Sequence, residues 1–292
     1  MTRQRLILRA SSALMPTLLG LTGFLLLFSS LPTWAASPPA EDLLEGRGEY
    51  EMVLIHGLGS SADVWDGLAP YLMGTFKVFR FELTGHGTTQ PMEDPSITKE
   101  VERLSKFLFD NDLSYPTLVG HGLGGMIALN FALDYPADVH RLILMDAAPR
   151  QLVDNAAKVE ITNQILGNYG RFVAERFLNM SPQPDITEIV LDQALRTDSA
   201  SFISLLMSSF DYDVTDRLRG LSVPMLIIGS ELMFPLAERN REVLNEIGFG
   251  AAPSLSFKRM GKTGHFMMLE QPVYIASVLL AFGVDAEHRF EE

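Results

Sequence analysis

Short apolar runs separated by longer amphipathic segments recur from residue 51 onward, and they constrain the fold of this chain more than any other feature. Six such runs are predicted to be buried strands, at residues 52–55, 77–83, 117–120, 142–145, 225–228 and 255–258. Helical patterns lie between them, for example at residues 100–110, 126–133 and 273–282. Continuous apolar strands that alternate with helices are typical of a parallel sheet covered on both faces. We therefore predict an α/β fold with a mostly parallel, doubly wound sheet.

One stretch, residues 150–218, interrupts this alternation. It has helical patterns, prolines at positions 182 and 184, and no segment with a strand pattern. An insertion between two parallel strands lies over the carboxyl ends of the sheet, where ligands of open α/β sheets bind. We predict that residues 150–218 form a helical cap, and that residues 51–149 and 219–292 together form the α/β core.

The N-terminal segment has the pattern of a secretory signal. Three arginines within the first nine residues precede an apolar run at residues 14–28, and small residues near Ala35 match a signal-peptidase site. The run is shorter than the roughly 20 residues that span a bilayer. We predict a signal peptide at residues 1–35 and a linker at residues 36–50, in a periplasmic or secreted protein. An uncleaved N-terminal membrane anchor is the alternative.

Charge and composition exclude several partners and cofactors. The net charge is −13, and the predicted signal holds three arginines and no acid, so the remainder carries 20 basic and 36 acidic side chains, a net charge of −16. Such a surface repels nucleic acids and anionic lipids, so membrane contact is expected only through an uncleaved N-terminus. The chain has no cysteine, and its histidines lack metal-ligand spacing, so no cofactor or metal is predicted. Three of those histidines are predicted to be structural, namely His56, His86 and His121.

Four motifs, in order along the chain, resemble those of the α/β-hydrolase fold family. They are His56-Gly57-Leu58-Gly59, Gly85-His86-Gly87, Gly120-His121-Gly122-Leu123-Gly124 and Gly264-His265-Phe266. The similarity extends from about residue 51 to residue 283. It implies the α/β-hydrolase fold, with a strand-to-helix nucleophile elbow at the third motif and a catalytic histidine, His265, in the fourth.

The chain departs from this resemblance at two catalytic positions. The family has serine at the apex of the elbow, and this chain has Gly122, which has no side chain to attack a carbonyl. The usual acid position after a later strand holds Leu232, with Glu231 one residue out of register. Two carboxylates are therefore candidate partners of His265: Asp146, which follows a predicted strand, and Glu231.

The resemblance also implies an oxyanion hole made by the backbone N–H groups of Leu58 and Leu123. Backbone donors need no particular side chain, so their presence follows from the fold. Other hydroxyls lie near strand ends, at Ser60, Ser61, Thr84 and Ser230. None of them is on a strand-to-helix elbow, and Ser230 is the least unsuitable as a nucleophile.

Three functional hypotheses follow from these residues. The leading one is a catalytically degenerate hydrolase that binds a small apolar molecule or a protein partner beneath its cap. The second is an enzyme without a nucleophile, of the lyase or cofactor-independent oxygenase type, with His265 as base. The third is a hydrolase with an unrecognised nucleophile. Loss of the nucleophile costs a serine hydrolase on the order of a millionfold in kcat, which argues against ordinary serine hydrolysis.

Overall fold

The computed structural model describes residues 44–284, and a seven-stranded sheet forms the centre of this part of the chain. The strands are β1 (Leu44–Glu45), β2 (Tyr50–Ile55), β3 (Phe76–Phe81), β4 (Thr117–His121), β5 (Arg141–Met145), β6 (Met225–Ser230) and β7 (Leu255–Met260). Their order is β1-β3-β2-β4-β5-β6-β7. Strands β2 to β7 are parallel, and β1 pairs antiparallel with β3. The predicted α/β fold with a mostly parallel sheet is confirmed.

Helices cover both faces of the sheet. They are α1 (Ala69–Leu72), α2 (Ile97–Asp110), α3 (Leu123–Asp134), α4 (Asn155–Gly167), α5 (Tyr169–Phe177), α6 (Pro184–Arg196), α7 (Ser199–Phe210), α8 (Asn240–Glu246), α9 (Met267–Glu270) and α10 (Pro272–Val284). Strand β2 shows why the run at residues 52–55 is apolar at every position. Met52 and Leu54 pack into one hydrophobic cluster with α1 and α10, whereas Val53 and Ile55 pack into another with α2 and α3. Successive side chains of a strand point to opposite faces, so both sets must be apolar.

Strand β3 ends at Phe81, two residues before the end predicted at residue 83. The reason is that side chains take over the hydrogen bonds of the backbone beyond Phe81. Nε2 of His56 accepts a hydrogen bond from the Leu83 N–H at 3.0 Å. The Glu82 carboxylate accepts from the N–H groups of Ala62 and Thr88. The chain therefore leaves the sheet in a loop that polar side chains hold in place.

Four helices, α4 to α7, fill the insertion between β5 and β6, where the cap was predicted. The two ends of the insertion meet, because Arg150 and Asp213 form an isolated antiparallel bridge and the Val214 N–H donates to the Pro149 carbonyl at 2.9 Å. Apolar side chains of the cap belong to the same cluster as residues of the sheet, among them Phe177, Val190, Phe202 and Leu206. The cap is therefore packed onto the core rather than attached to it by a linker alone.

The boundary between the predicted linker and the α/β core lies earlier in the chain than predicted. The linker was predicted to reach residue 50, but Leu44–Glu45 already forms the edge strand β1 and Tyr50 begins β2. A two-residue strand carries too little pattern to be recognised in a sequence. The signal peptide predicted at residues 1–35 lies outside the described residues. Within residues 44–284, no helix combines the length and the apolar character that a bilayer span requires.

Candidate functional site

The turn from β4 into α3 forms a sharp elbow with Gly122 at its apex. Gly122 has a φ of 51° and a ψ of −116°, which places it among conformations that glycine adopts most easily. Strand and helix approach so closely that a Cβ on Gly120 would lie 2.4 Å from the Gly124 carbonyl oxygen. A Cβ on Gly124 would in turn lie 2.4 Å from the Ile55 carbonyl oxygen. These contacts explain why the elbow is built from glycines.

The elbow points at His265, which lies in the loop between β7 and α9. A Cβ built on Gly122 would lie 3.3 Å from Nε2 of His265. One further bond would bring a hydroxyl oxygen within hydrogen-bonding reach of that nitrogen. The apex of the elbow and the imidazole of His265 therefore lie as close together as a nucleophile and its base require. What is missing is a reactive side chain at residue 122.

Asp146 is the carboxylate that the structure places next to His265. Its Oδ2 lies 3.1 Å from Nδ1 of His265, although 119 residues separate the two in sequence. The Asp146 carboxylate also accepts hydrogen bonds from the backbone N–H of Ser230, at 2.7 Å, and from its hydroxyl, at 2.6 Å. With Nδ1–H donated to Asp146, the lone pair of Nε2 is left facing Gly122. A histidine held in this way can act as a base.

Glu231, the other candidate acid, lies elsewhere. Its carboxylate accepts a hydrogen bond from the Lys262 N–H at 2.5 Å and lies 3.5 Å from Arg259. The next residue, Leu232, lines the cavity described below. Glu231 is therefore not the partner of His265, because its carboxylate interacts with the Lys262 N–H and with Arg259 instead.

Three interactions fix the loop that carries His265. The backbone N–H of His265 donates to the Met180 carbonyl of the cap at 2.6 Å, and the carbonyl of His265 accepts from Nε2 of His121 at 2.9 Å. Glu270 accepts from the Gly264 N–H at 2.7 Å, and burial raises the pKa of this carboxyl. Burial lowers the pKa of His121 well below its ordinary value. The sequence indicated no role for Glu270, although it follows His265 by only five residues.

His56 and His86 brace the loops around the site. Each uses one ring nitrogen to accept a backbone N–H, of Leu83 and Gly59 respectively, and the other to donate to a backbone carbonyl. Burial lowers the pKa of His56 to about 4 and that of His86 to about 3. Both rings are therefore neutral at pH 7. Within residues 44–284, no three side chains of the kinds that bind metals are grouped to hold an ion.

A cavity of about 260 Å³ lies between the cap and the carboxyl ends of the strands. Gly122, Asp146 and His265 line its polar part. Most of its other walls are apolar, formed by Leu58, Leu123, Met126, Ala147, Ala148, Phe177, Met180, Leu206, Leu232 and Met233. Three polar cap-side residues, Gln151, Arg176 and Ser209, complete the lining. A site of this size and character suits a small, mainly apolar molecule.

The sequence profile described as the alpha/beta hydrolase family matches residues 52–278 of this chain. The chain belongs to the alpha/beta hydrolase family. Its sequence is 37% identical, over 97 residues, to an uncharacterized protein of Mycobacterium bovis; the match covers 33% of this chain and spans 28% of that protein's length. A second relative is the karrikin insensitive 2 receptor CA of Petunia hybrida, 27% identical over 259 residues, with 80% of this chain and 92% of the receptor covered.

A solved structure shows the same fold of the alpha/beta hydrolase family. The enol-lactonase from Burkholderia xenovorans LB400 superposes with a TM-score of 0.73, covering 83% of this chain and 95% of the lactonase. The two sequences are 17% identical. At this identity the likeness establishes the fold and carries no activity over to this chain.

The backbone donors of this alpha/beta hydrolase family member remain available. Leu58 and Leu123 both line the cavity. Within residues 44–284, neither backbone N–H donates a hydrogen bond to another protein group. The Leu58 loop is held by a hydrogen bond from the Gly59 N–H to His86 at 3.0 Å. Two free donors beside His265 provide a place for a carbonyl or hydroxyl oxygen of a ligand.

None of the hydroxyls considered as substitute nucleophiles lines the cavity. Ser60 donates to the Gln193 side chain at 3.0 Å, and Thr84 donates to the Gln90 carbonyl at 3.0 Å. Ser230 is fully buried and donates to Asp146. The Ser61 side chain is also buried. The cap contributes one hydroxyl to the lining, that of Ser209, which donates to the Leu206 carbonyl at 2.7 Å.

Proposed function

We propose that this member of the alpha/beta hydrolase family is a ligand-binding protein that does not hydrolyse its ligand. The observation that carries the proposal is Gly122 at the apex of an otherwise intact elbow. The imidazole of His265, its carboxylate partner Asp146 and the two free backbone donors are all in place, yet no atom at the apex can form a covalent intermediate. An organised site without a nucleophile suits binding rather than hydrolysis.

The size of the catalytic loss supports this reading of the site. Without its nucleophile, a serine hydrolase retains only about 10³–10⁴-fold acceleration over water, from binding and the oxyanion hole. The cavity, by contrast, keeps apolar walls and several polar groups that could orient a small molecule. A full-length relative named as a receptor is consistent with a binding role in this family.

The test compares the wild type with two variants of the apex. Wild type, Gly122→Ser and Gly122→Ala are treated with a fluorophosphonate probe and with a panel of p-nitrophenyl esters. We expect labelling and ester turnover only in Gly122→Ser, because its hydroxyl would lie beside Nε2 of His265. Gly122→Ala is the matched control, since it adds the same Cβ without a hydroxyl. Labelling of the wild type would overturn the proposal, and its loss in Ser230→Ala would identify the overlooked nucleophile.

A second candidate function is supported by the Asp146–His265 pair. A carboxylate-oriented imidazole facing two oxyanion donors can remove a proton next to a carbonyl and stabilise the resulting enolate. Solvent-deuterium exchange into 2-heptanone, followed by NMR, measures this chemistry directly. Exchange catalysed by the wild type and lost in His265→Ala would establish the base reaction. Equal background exchange in both proteins would leave ligand binding as the function.

We also propose that the protein is exported, as its N-terminal sequence predicts. The proposal is supported by the basic start, the apolar run at residues 14–28 and the small residues near Ala35. A small apolar ligand or a protein partner is then met outside the cytoplasm.

A further inference from the structure

Arg176 brings a positive charge into the wall of the cavity. It lies on α5 of the cap, and its side chain lines the same cavity as Gly122 and His265. Within residues 44–284, its guanidinium makes no hydrogen bond or ion pair. Arg176 is exposed to solvent on one side and lines the cavity on the other. The surrounding protein lowers the pKa of its guanidinium by desolvation.

The neighbouring arginine on the same helix shows the usual arrangement. Arg171 lies on the exposed surface of α5, and its guanidinium pairs with Glu175 at 2.7 Å. Arg176 has no such acidic neighbour, although the chain as a whole is strongly acidic. The one carboxylate of the cavity wall, that of Asp146, already accepts hydrogen bonds from His265 and Ser230. The charge of Arg176 is therefore left uncompensated at a ligand-sized space.

An unpaired guanidinium in the wall of a cavity can bind an anionic group of a ligand that enters the cavity. A guanidinium also has the fork of donors that matches carboxylate and phosphate oxygens. The rest of the wall is mainly apolar, and the free N–H groups of Leu58 and Leu123 suit a neutral oxygen. These three parts of the cavity complement an amphipathic molecule with one charged group.

We propose that the cavity takes an organic anion: an apolar body that carries one carboxylate or phosphate group, which Arg176 binds. This inference rests on the proposed ligand-binding function and specifies the class of ligand. The apolar body lies against the leucine, methionine and phenylalanine side chains of the wall. The anionic group lies on the side of the cap, so the ligand connects α5 to the core.

The experiment uses three probes of equal chain length, octanoate, octyl phosphate and neutral octanamide, with calorimetric titration of each into the protein. We expect the wild type to bind at least one of the two anions about tenfold or more tightly than octanamide, as a charge-assisted hydrogen bond predicts. Arg176→Met should bring the anions to the affinity of octanamide without weakening octanamide itself, because methionine keeps an apolar stem. Arg176→Lys should retain part of the preference. Arg171→Met, the matched control on the same helix, should retain all of it.

Several outcomes would overturn the inference. They are equal affinity of the wild type for all three probes, a preference that survives in Arg176→Met, and no binding of any probe. Equal affinity for the three probes would leave the proposed binding function intact and would contradict only the preference for a ligand with an anionic group. Conversely, an anion preference that depends on Arg176 in a wild type that also hydrolyses esters would keep this inference and overturn the non-hydrolytic function. The two proposals therefore fail separately.

Discussion

Gly122 is the residue on which both stability and chemistry of the elbow depend. Its φ of 51° lies in a region that costs a residue with a side chain about 1–3 kcal/mol. We expect Gly122→Ser and Gly122→Ala to lower the free energy of unfolding by about that amount, and by similar amounts to each other. Urea unfolding measures both. A loss confined to the serine variant would show that the hydroxyl, and not the backbone conformation, is responsible.

His56 makes stability depend on pH. Its pKa is lowered by burial from 6.5 to about 4, so below pH 6.5 the unfolded chain takes up a proton that the folded chain does not. The free energy of unfolding should therefore be highest above pH 6.5 and fall as the pH drops toward 4, by up to about 3 kcal/mol for this residue. Urea unfolding at pH values between about 7.5 and about 4.5 measures the slope. His56→Gln should make the slope shallower without abolishing it, because burial also lowers the pKa of His86 and His121. His140→Gln, at a partly exposed position, should change the slope little.

Single residues of the site differ in how far the sequence could identify them. Gly122 and His265 lie in motifs with a fixed spacing, so their positions followed from the sequence. The choice between Asp146 and Glu231 did not, because it depends on which strand end faces the histidine loop in space. Arg176 gave no signal at all, since a charged residue on an amphipathic helix is usually a solvated one. Only the packed cap reveals that this arginine lines the cavity.

At the scale of elements, α5 attaches the cap to the core through Phe177. This side chain is 1% exposed, and its ring centre lies 6.3 Å from that of Phe266, the residue after His265. We expect Phe177→Ala to lower the free energy of unfolding by about 3–5 kcal/mol, because it removes a buried aromatic ring and leaves a cavity. Thermal unfolding measures the loss. Leu178→Ala, at the C-cap directly after α5 and 52% exposed, is the control and should stay within about 0.5 kcal/mol.

A small loss in Phe177→Ala, similar to that of Leu178→Ala, would contradict the tight packing of the cap. It would mean that α5 moves away from the core without breaking the fold, so the cap would be an independent lid. The bridge between Arg150 and Asp213 argues for a fixed cap, since it joins both ends of the insertion. Phe177 also lines the cavity, so the same variant should widen the space for a ligand.

Elements were predictable where their sequence pattern is long and uniform. The central strands β2, β4, β5 and β6 are largely buried, so each of them contains an apolar run whose centre can be located. Their ends are set by individual hydrogen bonds, which is why β3 stops at Phe81 when His56 and Glu82 take over the following backbone. The edge strand β1 was missed because two residues carry no periodicity. The helical cap was recognised from the absence of strand patterns rather than from any feature of its own.

At the scale of the molecule, the site is assembled from segments that are far apart in sequence. The loop after β2, the elbow after β4, Asp146 after β5, the cap and the loop after β7 all meet at the carboxyl ends of the strands. That convergence follows from the parallel topology, which brings every strand-to-helix turn to one edge of the sheet. The same topology can serve hydrolysis or binding. The side chain at the apex of the elbow, and not the fold, therefore decides the chemistry.

The proposed export concerns the whole molecule. We expect the full chain, expressed in a bacterium with two membranes, to appear in the periplasm as a mature form that begins at about residue 36, with its charge lowered from −13 to −16. Fractionation followed by intact mass measurement checks this. Ala35→Leu should block cleavage, because a signal peptidase accepts only small residues there, and should leave the uncut chain in the membrane. An uncut wild type in the membrane fraction would instead make the first 35 residues a membrane anchor. An uncut soluble chain would contradict export, because the apolar run at residues 14–28 would then neither enter the bilayer nor lead to cleavage.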